Sequence, residues 1–173
     1  MDQFEFKKIR DKYTDFPVSV IDIANELGIK VYETDSLPSN VSGLIGKELN
    51  GEFSIYVNAK HAATRKIFTI AHEIGHYIND FDILNNGNQF ITYKKADIET
   101  NFVMARADIA ISSQEYRKKE TAANYFAAEL LMPAAKFLEV VNIYDEIQDV
   151  AAFFGVSCSA ASVRASQLGK FFI

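Results

Sequence analysis

The segment Phe68-Thr69-Ile70-Ala71-His72-Glu73-Ile74-Gly75-His76-Tyr77 constrains this chain more than any other part of it. Its His-Glu-x-x-His spacing forms a ligand pair only on a helix, where residues i and i+4 share one face roughly 5 to 6 Å apart. Both imidazoles then reach a single tetrahedral Zn²⁺. Glu73 lies about 100° further round the helix and can address a water at the open coordination position rather than the metal. Phe68, Ile70, Ala71, Ile74, Gly75 and Ile78 give the same helix an apolar surface, so the sequence predicts that it is packed against a core that holds the ligands still. A helix from about Thr64 to Asn79 follows. The bland alternative is a closed structural zinc site or two solvated histidines. Structural zinc usually recruits cysteine, and the chain has only Cys158.

Length and composition bound the rest. The 173 residues suffice for one ordinary domain with a sizeable core, and a hydrophobic content of 49% excludes a disordered chain. The net charge of −5 argues against a dominant nucleic-acid surface, which needs a local excess of Lys and Arg. One cysteine gives no intramolecular disulfide. No signal peptide or membrane span is readable, so the expected location is the cytoplasm and no membrane partner is expected. Nothing in the sequence sets an oligomeric state.

Along the chain, Asp2 to Tyr13 reads as an amphipathic helix and Ser19 to Leu27 as a second, with Ser19 as cap and Gly28 as stop. Ile29 to Tyr32, Ser42 to Ile45 and Phe53 to Val57 read as strands, the last two separated by the turn dipeptide Asn50-Gly51. A small antiparallel sheet ahead of the zinc helix is the expectation, and an edge strand of it could bind an extended peptide by β-addition. The stretch from Asp80 to Ile111 is the least readable. It holds a turn cluster at Asn85 to Asn88, a short strand at Phe90 to Tyr93 and mixed helical character from Asp97, and could be a substrate loop or plain filler. Ser112 and Glu115 have capping-box spacing before a helix that runs to about Leu131, ahead of Pro133. Helices at Pro133 to Val141, Ile143 to Phe154 and Cys158 to Leu168 complete the chain. The last two, joined by Gly155-Val156-Ser157, have helix-turn-helix spacing. Arg164 is the only basic residue of the second helix before Lys170, so the pair reads as packing or protein contact and direct DNA binding is not expected.

A catalytic zinc needs a third protein ligand and keeps its fourth position open. No third histidine follows His76 at close spacing, and His61 upstream reads as a solvated residue. A downstream carboxylate is the natural candidate. Glu120 opens the run Glu120-Thr121-Ala122-Ala123-Asn124-Tyr125-Phe126, where Ala and aromatic neighbours suggest burial and Asn124 shares its face one turn on. Glu129 competes from another face.

Phe68 to Tyr77 together with Glu120 to Pro133 closely resembles the ImmA/IrrE family of bacterial metallopeptidases, whose pattern is F-T-x-A-H-E-x-G-H followed by E-x-x-A-N-x-F-A-x-x-L-L-M-P. Val41 to Leu44, Ile55 to Asn58 and Val150 to Gly169 look like weaker family segments. The resemblance implies an α+β, zincin-like fold: a metallopeptidase domain over residues 1–133 and a C-terminal helical segment over 134–173 packed on it. It implies His72, His76 and Glu120 as zinc ligands and Glu73 as general base. By the same resemblance the activity is zinc-dependent endopeptidase cleavage of a helix-turn-helix repressor, in a mobile element or a stress response. The alternative is a zinc-containing module that binds a repressor or toxin without cutting it. Two departures stand out. Asn79-Asp80 occupies the place where members often have an apolar residue and His, and the interval from His76 to Glu120 is long. Tyr93, Tyr116, Tyr125 and several arginines are open as oxyanion donors.

Overall fold

The computed structural model describes residues 3–80, 113–170 and 172. The expected turn, strand and helix between Asp80 and Ile111 and the cap at Ser112 fall outside these, apart from Asp80 itself. In order, the chain forms α1 (Gln3–Arg10), α2 (Val20–Glu26), β1 (Ile29–Thr34), β2 (Gly43–Lys47), β3 (Phe53–Asn58), α3 (Ala63–Asn79), α4 (Ser113–Leu131), α5 (Ala134–Val140), α6 (Ile147–Phe154) and α7 (Cys158–Gln167).

Local signals explain most boundaries. Ser19 caps α2 by accepting from the Asp22 N–H, and the chain leaves that helix through Gly28 at φ +73°. Ser157 caps α7 by accepting from the Ala160 N–H. Gly155, at φ +66°, ends α6 in the left-handed region, and a Cβ there would also lie 2.8 Å from Pro17. Helix α6 begins at Ile147 rather than Ile143. Residues 141–146 instead form turns and bends, in which Ile143 and Tyr144 donate their N–H groups back to the Val140 carbonyl.

The sheet order is β1-β3-β2. Strands β2 and β3 pair antiparallel, as a hairpin must, with Ile45 opposite Ile55. Strand β1 pairs with β3 in parallel, Val31 opposite Ile55, so the sheet is mixed and not wholly antiparallel. Helix α2 and β1 are joined directly through Gly28, and the crossover to β3 passes through β2, which leaves β1 free to dock on the far edge.

Alternation along β3 sends Phe53, Ile55 and Val57 into the core, where they meet Ile70, Ala71, Ile74, Tyr77 and Ile78 of α3. The Phe53 and Tyr77 rings pack edge to face at 5.0 Å. Each such aliphatic or aromatic side chain contributes about 1.5–3 kcal/mol on burial. Helix α3 is thus covered by the sheet on one side and by α4 on another, which is why both polar and apolar residues along it are buried. The same core cluster continues through Leu131, Phe137, Val150, Phe154 and Ala161, so α5, α6 and α7 pack on the body that carries α3.

Candidate metal centre

Three electron-pair donors converge between α3 and α4. His72 Nε2 and His76 Nε2 are 3.0 Å apart. Glu120 places Oε1 at 3.1 Å from His76 Nε2 and Oε2 at 3.7 Å from His72 Nε2. All three residues can offer ligand atoms within 4.8 Å of one another. Tetrahedral zinc with bonds of about 2.0–2.1 Å to nitrogen and oxygen separates its ligands by about 3.3 Å, so the spacing suits such an ion.

The outer hydrogen bonds set the direction of the lone pairs. His72 Nδ1 lies 3.0 Å from Asn124 Oδ1, and His76 Nδ1 lies 3.1 Å from Asp80 Oδ2. Both acceptors call for a proton on Nδ1, which leaves the Nε2 lone pairs turned inward. Two imidazole lone pairs and a carboxylate at this separation repel one another unless positive charge sits between them. Among the described residues Glu120 Oε1 accordingly has no aligned hydrogen-bond donor, although it lies 3.1 Å from His76 Nε2. The donor set therefore fits a divalent cation of the zinc type.

Close helix contact brings the third donor into range. A Cβ on Gly75 would meet Ala123 Cα and O at 3.2 Å and Phe126 Cδ1 at 3.1 Å, so the Gly75 and Ala123 pair lets α3 and α4 approach at the level of the site. Glu120 and Asn124, one turn apart on α4, then flank the two histidines.

Glu73 is 2% exposed. Burial pushes its carboxyl up to about 8; the charge of Glu120 adds to the rise, while His72 and hydrogen bonding from the Ile45 backbone on β2 oppose it. Its Oε2 has no hydrogen-bond partner among the described residues. An unpaired buried carboxylate oxygen beside converging ligands is costly and available for proton exchange.

Other candidates separate cleanly. His61 faces the Ser39 carbonyl at 3.2 Å and takes no part in the cluster. Glu129 is drawn away into an ion pair with Arg164. Tyr125 is 60% exposed, and Tyr93 lies outside the described residues. Tyr116 is half-buried and its hydroxyl is pushed to about 12, first by burial and then by the charges of Glu120 and Glu73, which places a neutral O–H within electrostatic reach of both carboxylates. Asp80 was not singled out as a functional residue by sequence reasoning, yet it supports His76 directly. Its signal was available: it stands four residues beyond His76 on the same helix face. Arg164 is 1% exposed, donates from Nε to the Met132 carbonyl at 2.9 Å and pairs with Glu129, so its charge is spent inside the protein. No helix of the described residues is long and apolar enough to cross a membrane.

No curated protein matches the chain. A solved structure named as a Mycobacterium tuberculosis transcriptional regulator shares the fold with a TM-score of 0.60 and 16% identity, covering 94% of this chain and 46% of that one. The chain thus spans less than half the length of that protein. Residues 24–166, which include the sheet, both site helices and most of the C-terminal helices, match the family model described as Peptidase M78, IrrE N-terminal-like domain, and the chain belongs to that metallopeptidase family.

Proposed function

We propose that the protein is a cytoplasmic zinc-dependent endopeptidase whose substrate is a helix-turn-helix transcriptional repressor, encoded on a mobile element or within a stress response. The observation that carries the peptidase reading is the convergence of His72, His76 and Glu120 beside a buried carboxylate with a free oxygen. The regulatory part is supported by the likeness to a protein named as a transcriptional regulator.

In this reading His72, His76 and Glu120 hold the ion, and Asn124 keeps the His72 ring in place. Zinc held there would supply Lewis acidity towards a carbonyl oxygen and a water. Glu73 accepts the attacking water's proton, with Oε2 as the oxygen left free for it, and returns it to the leaving amine. Burial raises the Glu73 carboxyl and so favours holding the proton between the two transfers, while the positive charge of a bound ion would favour the carboxylate that first accepts it. The sheet and α4 exclude bulk water from Glu73 and strengthen its interactions with nearby charge. In this reading the described helices of the C-terminal segment, which share the core that carries α3, serve as packing rather than as a DNA-binding element.

The test is to incubate the purified zinc-loaded protein with the helix-turn-helix repressor encoded beside it. Cutting that is lost with a chelator and with Glu73→Gln supports the proposal. Stable association without cutting, unchanged by Glu73→Gln, would establish a zinc-containing binding module in its place.

A further inference from the structure

The two histidines of the site are supported unequally. His72 leans on a neutral amide, Asn124 Oδ1, at 3.0 Å. His76 leans on a carboxylate, Asp80 Oδ2, at 3.1 Å. Asp80 is tied to His76 a second time through its backbone, since its N–H donates to the His76 carbonyl at 2.8 Å and closes α3. Its other carboxylate oxygen, Oδ1, accepts from Lys119 Nζ at 2.7 Å. Lys119 is the residue immediately before Glu120. One chain of contacts therefore runs from the helix that carries two donors to the start of the turn that carries the third.

The energetics favour a role beyond surface pairing. The side chains of Asp80 and Lys119 are 7% and 15% exposed, so solvent screens their attraction far less than it screens an exposed pair. A buried carboxylate acting alone would oppose folding; Lys119 pairs with Oδ1 while Oδ2 faces the imidazole. A carboxylate on Nδ1–H orients the ring and increases the electron-donating strength of Nε2, and a charge-assisted hydrogen bond is stronger than the neutral one that Asn124 offers His72. The two residues that depart from the family pattern at Asn79-Asp80 thus include one with a specific partner on each side.

We propose that Asp80 and Lys119 are a positioning pair for the metal centre, Asp80 fixing the His76 ring and Lys119 fixing Asp80 while it locks α4 against α3 beside Glu120. The proposal rests on the reading of His72, His76 and Glu120 as metal ligands.

Zinc affinity of the full chain, measured by competition with a chromophoric chelator, tests it, together with the visible absorption of the Co²⁺-substituted protein. Asp80→Ala should weaken zinc binding about 10–100-fold. Asp80→Asn keeps an acceptor for His76 and loses the charge, so it should fall between wild type and Asp80→Ala, with a shifted Co²⁺ spectrum. It also serves where Asp80→Ala does not fold. Lys119→Met should weaken binding less than Asp80→Ala, because the contact from Asp80 to His76 survives. Glu129→Gln disturbs the ion pair of the buried Arg164, away from the site, and should lower thermal stability while leaving zinc affinity and the Co²⁺ spectrum unchanged. Wild-type affinity and spectrum in Asp80→Asn, with zinc bound normally by the wild-type chain, would overturn the positioning role alone. A wild-type chain that binds no zinc would overturn the metal centre and this proposal together.

Discussion

Helices α3 and α4 on one side, and α6 and α7 on the other, treat buried polar groups in opposite ways. Between α3 and α4, Glu73 Oε2 and Glu120 Oε1 are buried without an aligned hydrogen-bond partner among the described residues. Near α7, the buried guanidinium of Arg164 reaches the Met132 carbonyl, Glu129 and Gln167. Leaving a buried donor or acceptor unmade costs about 1–3 kcal/mol, so the first arrangement carries a stability cost that the second does not. The contrast separates a site from a staple. Charged residues alone do not, since both regions hold buried ionisable groups.

Substitution at each place should sharpen that contrast. The largest effect is expected for Glu73→Gln, which should lower the rate of cleavage of the proposed repressor substrate about 10²–10⁴-fold while zinc stoichiometry and melting temperature stay near wild type. Undiminished cleavage in that variant would remove Glu73 from the chemistry. Arg164→Ala should do the reverse, destabilising the fold towards the lower end of about 3–5 kcal/mol in denaturant titration without altering zinc content. The lower end is expected because Glu129 is partly exposed and can rehydrate.

Gly75→Ala crosses the two categories. Its new methyl meets Ala123 at 3.2 Å, and the resulting overpacking should cost about 1–3 kcal/mol of stability. Because Ala123 lies between Glu120 and Asn124 on α4, zinc affinity should drop as well; a stability loss with unchanged affinity would show that the site tolerates a wider helix separation. Ser157→Ala, which removes the cap of α7, should cost about 1 kcal/mol and leave both cleavage and zinc binding untouched.

Several features were legible because their causes are local. The capping serine at 19, the stop at Gly28 and the end of α4 before Pro133 follow from side chains that act within one turn of the backbone. Asn124 was placed on the same helix face as Glu120 one turn on, and it lies there with its Oδ1 3.0 Å from His72 Nδ1. The parallel docking of β1 on β3 was not legible, since alternating hydrophobicity says which face is buried and nothing about the neighbouring strand's direction. The late start of α6 escaped for a related reason: Ile143 and Tyr144 have helical composition, but their N–H groups return to Val140 as turns. Asp80 was seen as a departure from the family pattern without its consequence, because its second partner, Lys119, comes from a distant part of the chain.

The sequence by itself determined the pair His72 and His76 and the placement of Glu73 beside them, because helix geometry relates residues four apart whatever surrounds the helix. It also named the carboxylates among which the third donor would be found. Only the tertiary structure decided that Glu120 meets the histidines while Glu129 is taken by Arg164, that Glu73 is buried with one oxygen unpaired, and that Asp80 and Lys119 join the two helices. Those outcomes depend on which helix faces touch and how closely. The contact at Gly75 and Ala123 sets that distance, and with it which charges lose their water.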